Sequence, residues 1–206
     1  MGSASYPDNV FINCPFDRDY WPLFEVLLFT VSACGFRPRA TLEAQDSGAV
    51  RLDKIARLIS DSRYGIHDVS RVELDGKNRL PRFNMPFELG LDLGCRKFGG
   101  RARNSKRILV LDRIPYRYQK FLSDIAGQDI EIHGNNLNTL MKVVRDWLRT
   151  VSKRSNIPGD QTIRNRFTRF SDSLPSLCKN GGLDRKSLSY PDYISFVGEW
   201  LLQESL

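Results

Sequence analysis

The segment Asn84-Met85-Pro86-Phe87-Glu88-Leu89-Gly90-Leu91-Asp92-Leu93-Gly94 places one acid, Glu88, near the start of a predicted helix. Asn84 suits the N-cap, and Pro86 fits the first turn, where a missing N–H is no loss. Glu88 then falls at the fourth helical position, still near the positive end of the helix. A surface glutamate favoured by the helix dipole would satisfy the same spacing. A capping box would not, because it needs the acid three residues after Asn84, at Phe87. Gly90 and Gly94, four apart, would let the helix approach a sheet or another helix closely. An acid at the start of a close-packed helix beside a strand-end cleft is a candidate catalytic group, and Glu88 is that candidate.

In an open α/β sheet, ligands bind beyond the carboxyl ends of the strands. That rule collects Asn13, Phe16, Asp17 and Tyr20 after a first strand, and Glu43, Asp46, Ser47 and Gly48 after a second. Asp68, Ser70 and Arg71 follow a third, leading through a polar loop to Asn84, and Asp112 follows a fourth. Asn13, Phe16, Asp17, Asp46, Ser47, Asp68, Ser70 and Asn84 are the candidate substrate-binding residues. Arg51, at the start of the helix after Asp46-Ser47-Gly48, could meet a phosphate, though a solvated helix face explains it more simply. Tyr116, Arg117 and Tyr118 could stack on a base or cover the core, and the core is the favoured reading. His67 alternates with Ile66 and Asp68 and is expected to be buried rather than catalytic.

Several chemistries lack their motifs. There is no G-x-G-x-x-G after the first strand, no G-x-x-x-x-G-K-[ST] and no G-x-S-x-G. Walker-type ATP hydrolysis, ordinary NAD-dependent dehydrogenation and α/β-hydrolase chemistry are all poorly supported. No metal site is expected, because His67 and His133 have no Cys or His neighbour at ligand spacing.

The elements that must position these residues follow from periodicity. Asn9 to Cys14, Phe36 to Leu42, Tyr64 to Val69, Arg107 to Leu111 and Gln128 to Ile132 read as strands, the second near an edge because of Pro38. Helices are predicted from Trp21 to Ala33, around Leu52 to Ile59, from Met85 to Arg96 and from Leu137 to Val151. Alternating strands and helices argue for right-handed β-α-β units. The expected fold is therefore a flavodoxin-like, doubly wound α/β domain over residues 9–151, with a mainly parallel five-stranded sheet ordered 2-1-3-4-5. A C-terminal helical extension over residues 156–206 holds two helical segments, Gln161 to Leu174 and Tyr193 to Gln203. About fifty residues are too few for a robust core, so the extension should pack on the α/β domain or mediate homo-oligomerisation.

The net charge of +7 favours anionic partners or a solvated basic face. Basic residues crowd Arg96 to Arg107 and Arg145 to Arg169. Arg164, Arg166 and Arg169 on one helix permit a helix-turn-helix reading, but no recognition helix stands out and nucleic-acid binding is weakly supported. Four scattered cysteines, Cys14, Cys34, Cys95 and Cys178, suggest reduced thiols and a cytoplasmic setting. The opening residues lack signal-peptide and myristoylation patterns. No run approaches a membrane span.

The run Phe87-Glu88-Leu89-Gly90-Leu91 resembles the catalytic-glutamate helix of the nucleoside 2-deoxyribosyltransferase-like proteins. The layout also resembles the Toll/interleukin-1 receptor (TIR) domains, and Val10-Phe11-Ile12-Asn13-Cys14-Pro15-Phe16-Asp17 is similar to the first strand and polar loop of both groups. The likeness covers about Asn9 to Asp112. Many bacterial members of these groups cleave N-glycosidic bonds, of nucleosides or of NAD, with a helix-borne carboxylate facing the ribose. Glu88 is the matching position. The resemblance implies an N-glycosidic-bond-cleaving hydrolase acting on NAD or a related nucleotide, in the role of a bacterial defence effector. Asp68 and Ser70 would hold ribose hydroxyls, and Asn13 and Asp17 would line the pocket. No cofactor is implied, since NAD enters as substrate. The implied partners are a nucleotide-type small molecule and a second copy of the chain. This sequence departs from the transferases in having Pro81-Arg82-Phe83-Asn84-Met85-Pro86 where they carry a Gly-rich approach. The alternative is a non-catalytic sensor of a nucleotide signal, or an interaction module, on the same fold.

Overall fold

The computed structural model describes residues 6–43, 47–72 and 82–204. Short apolar runs separated by helices build a single sheet from β1 (Asn9–Asn13), β2 (Arg37–Arg39), β3 (Tyr64–Asp68), β4 (Arg107–Asp112) and β5 (Glu131–Ile132). The strand order is 2-1-3-4-5 and every pairing is parallel. This is the expected flavodoxin-like doubly wound sheet. Its winding reverses between β1 and β3, where Asn13 lies beside His67.

Six helices are described: α1 (Trp21–Ala33), α2 (Arg51–Ser60), α3 (Asn84–Phe98), α4 (Leu137–Ser152), α5 (Asp160–Asn180) and α6 (Tyr190–Gln203). The period-two alternation of the strands decides which helices they meet. Val10, Ile12, Tyr64, Ile66, Leu109 and Leu111 face the layer of α1 and α4. Phe11 packs with Ile55, Leu58 and Ile59 of α2, while Val110 packs with Leu89 of α3.

α1 is buried along nearly its whole length, from Leu23 to Val31. Apolar residues around a helix's full circumference require cover on both sides, and α5 and α6 supply the second side. Ile163, Phe170, Leu174, Tyr193 and Val197 share one apolar cluster with Val10, Phe24 and Phe29. The Tyr193 hydroxyl donates to the Glu25 carbonyl at 3.2 Å, and the Tyr190 hydroxyl donates to the Pro38 carbonyl at 2.8 Å. The C-terminal helices are thus part of the same packed body as the sheet.

Some boundaries differ from the sequence reading. α5 runs through Pro175 to Asn180, because Leu174 and Cys178 on either side of the proline are held in the core. α6 starts at Tyr190, with Ser189 accepting from the Asp192 N–H and Pro191 in the first turn, a start signal the apolar periodicity passes over. β5 is only two residues long because Gln128 instead closes a turn onto the Ile125 carbonyl. Among the described residues no helix is long and apolar enough to cross a membrane.

Candidate active site

A cleft of about 320 Å³ opens at the carboxyl end of β1, beside the switch point of the sheet. Asn13 and Cys14 come from the end of β1, and Phe16 and Asp17 from the loop after it. Arg51 comes from the first turn of α2, while Arg82, Asn84, Met85 and Glu88 come from the entry and first turns of α3. The switch point is where crossovers leave in opposite directions and open a crevice. The strand-end rule and the reading of Glu88 converge on this one place.

α3 begins one residue earlier than expected. Phe83 is the N-cap, no side chain caps the helix, and Asn84 is its first residue. The helix turns Met85, Glu88, Leu89 and Asp92 inward, at the three- and four-residue spacing of one face. A Cβ at Gly90 or Gly94 would meet no neighbour within 4 Å, so these glycines do not provide the close approach expected of them. That approach occurs at Gly65 of β3, where a Cβ would run into the Asp92 carboxylate and lie 3.0 Å from His67 Nε2.

Glu88 is only 6 % exposed, and its carboxyl makes no hydrogen bond or ion pair with any described residue. Burial pushes its pKa up to about 7, against the pull of the nearby Arg51 charge, which lowers it. Desolvation disfavours the charged form when no donor compensates it. The carboxyl is thereby brought close to neutrality, the range in which a carboxyl can serve as a base or an anion.

The other cleft carboxylate differs. Asp17 accepts from Arg71 at 3.3 Å and from Arg82 at 3.4 Å, and also takes the Tyr20 N–H at 3.1 Å. Cys14 is buried, and its thiol is held well above its ordinary pKa by burial, then by the charges of Asp68, Glu88 and Asp17. It is a poor nucleophile in this setting.

Behind the cleft lies a buried polar chain. Asn13 Nδ2 donates to the Met85 carbonyl at 2.9 Å and lies 3.0 Å from His67 Nδ1. His67 Nε2 lies 3.0 Å from Asp92 Oδ2, whose other oxygen is 3.0 Å from Lys106 Nζ. Lys106 also donates to the Ile59 carbonyl at 2.8 Å and to the Ser62 carbonyl. His67, Asp92 and Lys106 are all fully buried. Burial acts to raise the Asp92 pKa, but His67 and Lys106 outweigh it and the net direction is down.

The candidate residues therefore separate. Asn13, Phe16, Asp17, Asn84 and Glu88 share the cleft. Asp68 does not line it: its carboxylate is fully buried, accepts from the Tyr20 hydroxyl and the Ser70 N–H, and sits 3.1 Å from His133 Nε2. Ser70 is also buried, its carbonyl accepting from Arg117 at 2.7 Å. Both tie strand ends together. Ser47 is exposed in the turn before α2 and is outside the cleft lining. Asp46 lies outside the described residues. His67 is buried, as its alternation required. Of the Tyr116–Tyr118 cluster, Tyr118 joins the core, Arg117 pairs with Asp112 at 2.5 Å, and Tyr116 is exposed.

Arg82 and the Asp92–Lys106 pair escape sequence reasoning. Arg82 sits in a stretch noted only for what it lacks, and Lys106 is hidden in a basic run that reads as solvated. Asp92 carried a usable signal, since it follows Glu88 by four residues. Of the three arginines behind the nucleic-acid reading, Arg164 is engaged by Asp160 at 2.6 Å and Arg169 by Glu204 at 2.5 Å. Neither protein-family models nor curated proteins give a match to this chain.

Proposed function

We propose that this chain hydrolyses the N-glycosidic bond of NAD or a closely related nucleotide, with Glu88 as the catalytic carboxylate, in the setting of a bacterial defence effector. The observation that carries the proposal is the Glu88 carboxyl itself, buried and without a hydrogen-bonding partner among the described residues, in a cleft at the switch point. Desolvation of a cleft-lining carboxyl that no protein donor compensates is costly, and a ligand can supply what the protein withholds. A cationic ring beside the sugar, and the oxocarbenium that forms when the bond breaks, supply positive charge at that place.

In the proposed reaction the C1′–N bond breaks and its electron pair passes to the pyridinium nitrogen, giving neutral nicotinamide. Glu88 stabilises the cationic sugar carbon, or bonds to it, until water adds and releases a proton. The leaving group needs no protonation, so no separate general acid is required. An ordinary nucleoside would need one. Among the described cleft residues the only other carboxylate, Asp17, is engaged by two arginines. This favours NAD over nucleosides. Arg51 and Arg82 suit a phosphate-bearing ligand, and the cleft volume is at the lower end of the ~300–1,000 Å³ range of ligand pockets, enough for the ribosyl end of a dinucleotide.

The test is product analysis after incubation with NAD, at protein concentrations high enough to drive self-association. Nicotinamide and ADP-ribose should appear in equal amounts. Tight NAD binding without release under any of these conditions would favour the sensor reading, in which the two arginines bind a nucleotide and Glu88 only reports its charge.

A further inference from the structure

The buried chain behind the cleft has a directional consequence for what the cleft can recognise, and it rests on the reading of the cleft as a nucleotide site. A backbone carbonyl only accepts, so the Asn13 group 2.9 Å from the Met85 carbonyl must be the amide nitrogen. The same nitrogen lies 3.0 Å from His67 Nδ1, so Nδ1 is the acceptor there and the ring proton resides on Nε2. Nε2 then donates to Asp92 at 3.0 Å, and the buried Lys106 ammonium anchors that carboxylate. Each contact admits only one donor direction once the first is fixed.

Both hydrogens of the Asn13 amide are thereby committed inside the protein. Its carbonyl oxygen accepts no hydrogen bond from any described residue, and Asn13 is part of the cleft wall. A rotation that exchanged oxygen for nitrogen would set the oxygen against the Met85 carbonyl and the His67 lone pair.

We propose that Asn13 Oδ1 is a fixed hydrogen-bond acceptor for an N–H or O–H group of the ligand, with His67 as a positioning residue that locks the carboxamide through Asp92 and Lys106. The donor is a hydroxyl of the ribose at the scissile bond or the carboxamide N–H of the leaving base. A site built to accept a hydrogen bond rejects analogues lacking the donor, because its own buried acceptor is then left unpaired.

The experiment is a binding cycle by calorimetric titration in a Glu88→Gln background, so that turnover does not consume the ligand. NAD is compared with an analogue deoxygenated on the scissile ribose and with 3-acetylpyridine adenine dinucleotide, whose base keeps the carbonyl but has no amide N–H. One analogue should bind about tenfold or more weakly than NAD and so identify the donor. Asn13→Ala should lose a similar factor for NAD and almost nothing further for that analogue, a non-additivity that marks direct contact. Additive losses overturn the proposal, and so does equal binding of all three ligands by the protein that retains Asn13, a comparison that does not depend on the Asn13 variant folding. Coupling seen in binding while the unsubstituted protein releases no nicotinamide would keep Asn13 as acceptor and remove the hydrolase. Hydrolysis with additive losses would do the reverse, and no binding of any ligand would remove both.

Discussion

At the residue scale, the proposed chemistry turns on a carboxyl whose pKa is pushed up to about 7. If Glu88 must be ionised to act, kcat/KM for NAD hydrolysis should rise with pH through about 7 and level off above it. The Arg51 charge pulls the Glu88 pKa down, so Arg51→Gln should move this rising limb to higher pH, as a pH–rate profile would record. An unchanged limb would mean that Glu88 is not the titrating group. The same burial has a stability consequence of opposite convenience. The folded pKa lies above the ordinary 4.5, so the group's contribution is fully present below that value and is lost as pH rises through about 7. Glu88→Gln should therefore be more stable than the parent at pH 9, by on the order of 1–3 kcal/mol, the lower end allowing for solvent entering by the cleft mouth. At pH 4 the difference should vanish, as denaturant melts at the two pH values would show. Glu88 was legible because a helix start, a strand-end rule and a failed capping box pointed to it together. Asp68 lies outside the cleft lining, which sequence position does not reveal, because it gives the strand end but not the side-chain partners, Tyr20 and His133, that enclose it.

At the scale of elements, the site depends on how closely α3 lies on β3. Asp92 is brought against His67 where Gly65 has no side chain. Gly65→Ala should force α3 away from the sheet or break the Asp92 contacts, at a cost of roughly 3–5 kcal/mol, the range for unpairing a buried ion pair. Chemical denaturation would measure it, and a loss below about 1 kcal/mol would show that α3 adjusts freely. The strand order and the alternation of faces were readable from apolar runs and crossover rules. The dependence on Gly65 was not, because a glycine inside a strand says only that something approaches closely, and the approaching residue is distant in sequence.

At the scale of the whole molecule, the C-terminal helices complete the fold. Phe170 is fully buried and its ring centroid lies 5.3 Å from that of Phe29 on α1 and 5.7 Å from that of Tyr193 on α6. Phe170→Ala should therefore destabilise the entire protein by about 3–5 kcal/mol in a single unfolding transition. A separate early transition confined to the C-terminal helices would contradict that picture. The sequence held a clue in α1, whose apolar residues leave no face for solvent, but α5 and α6 also read as a plausible oligomer surface. Only the partners of Phe170 and Tyr193 decide where those residues go.

The central claim is that Glu88 is the catalytic carboxylate for cleavage of an N-glycosidic bond, and the most direct test is the rate of nicotinamide release from NAD by the parent protein and by Glu88→Gln. Gln matches the volume of Glu but carries no charge, so the variant should fold with an unchanged or higher melting temperature at pH 8 and lose activity by about 10²–10³-fold or more. A folded Glu88→Gln protein that releases nicotinamide at the parent rate would contradict the claim.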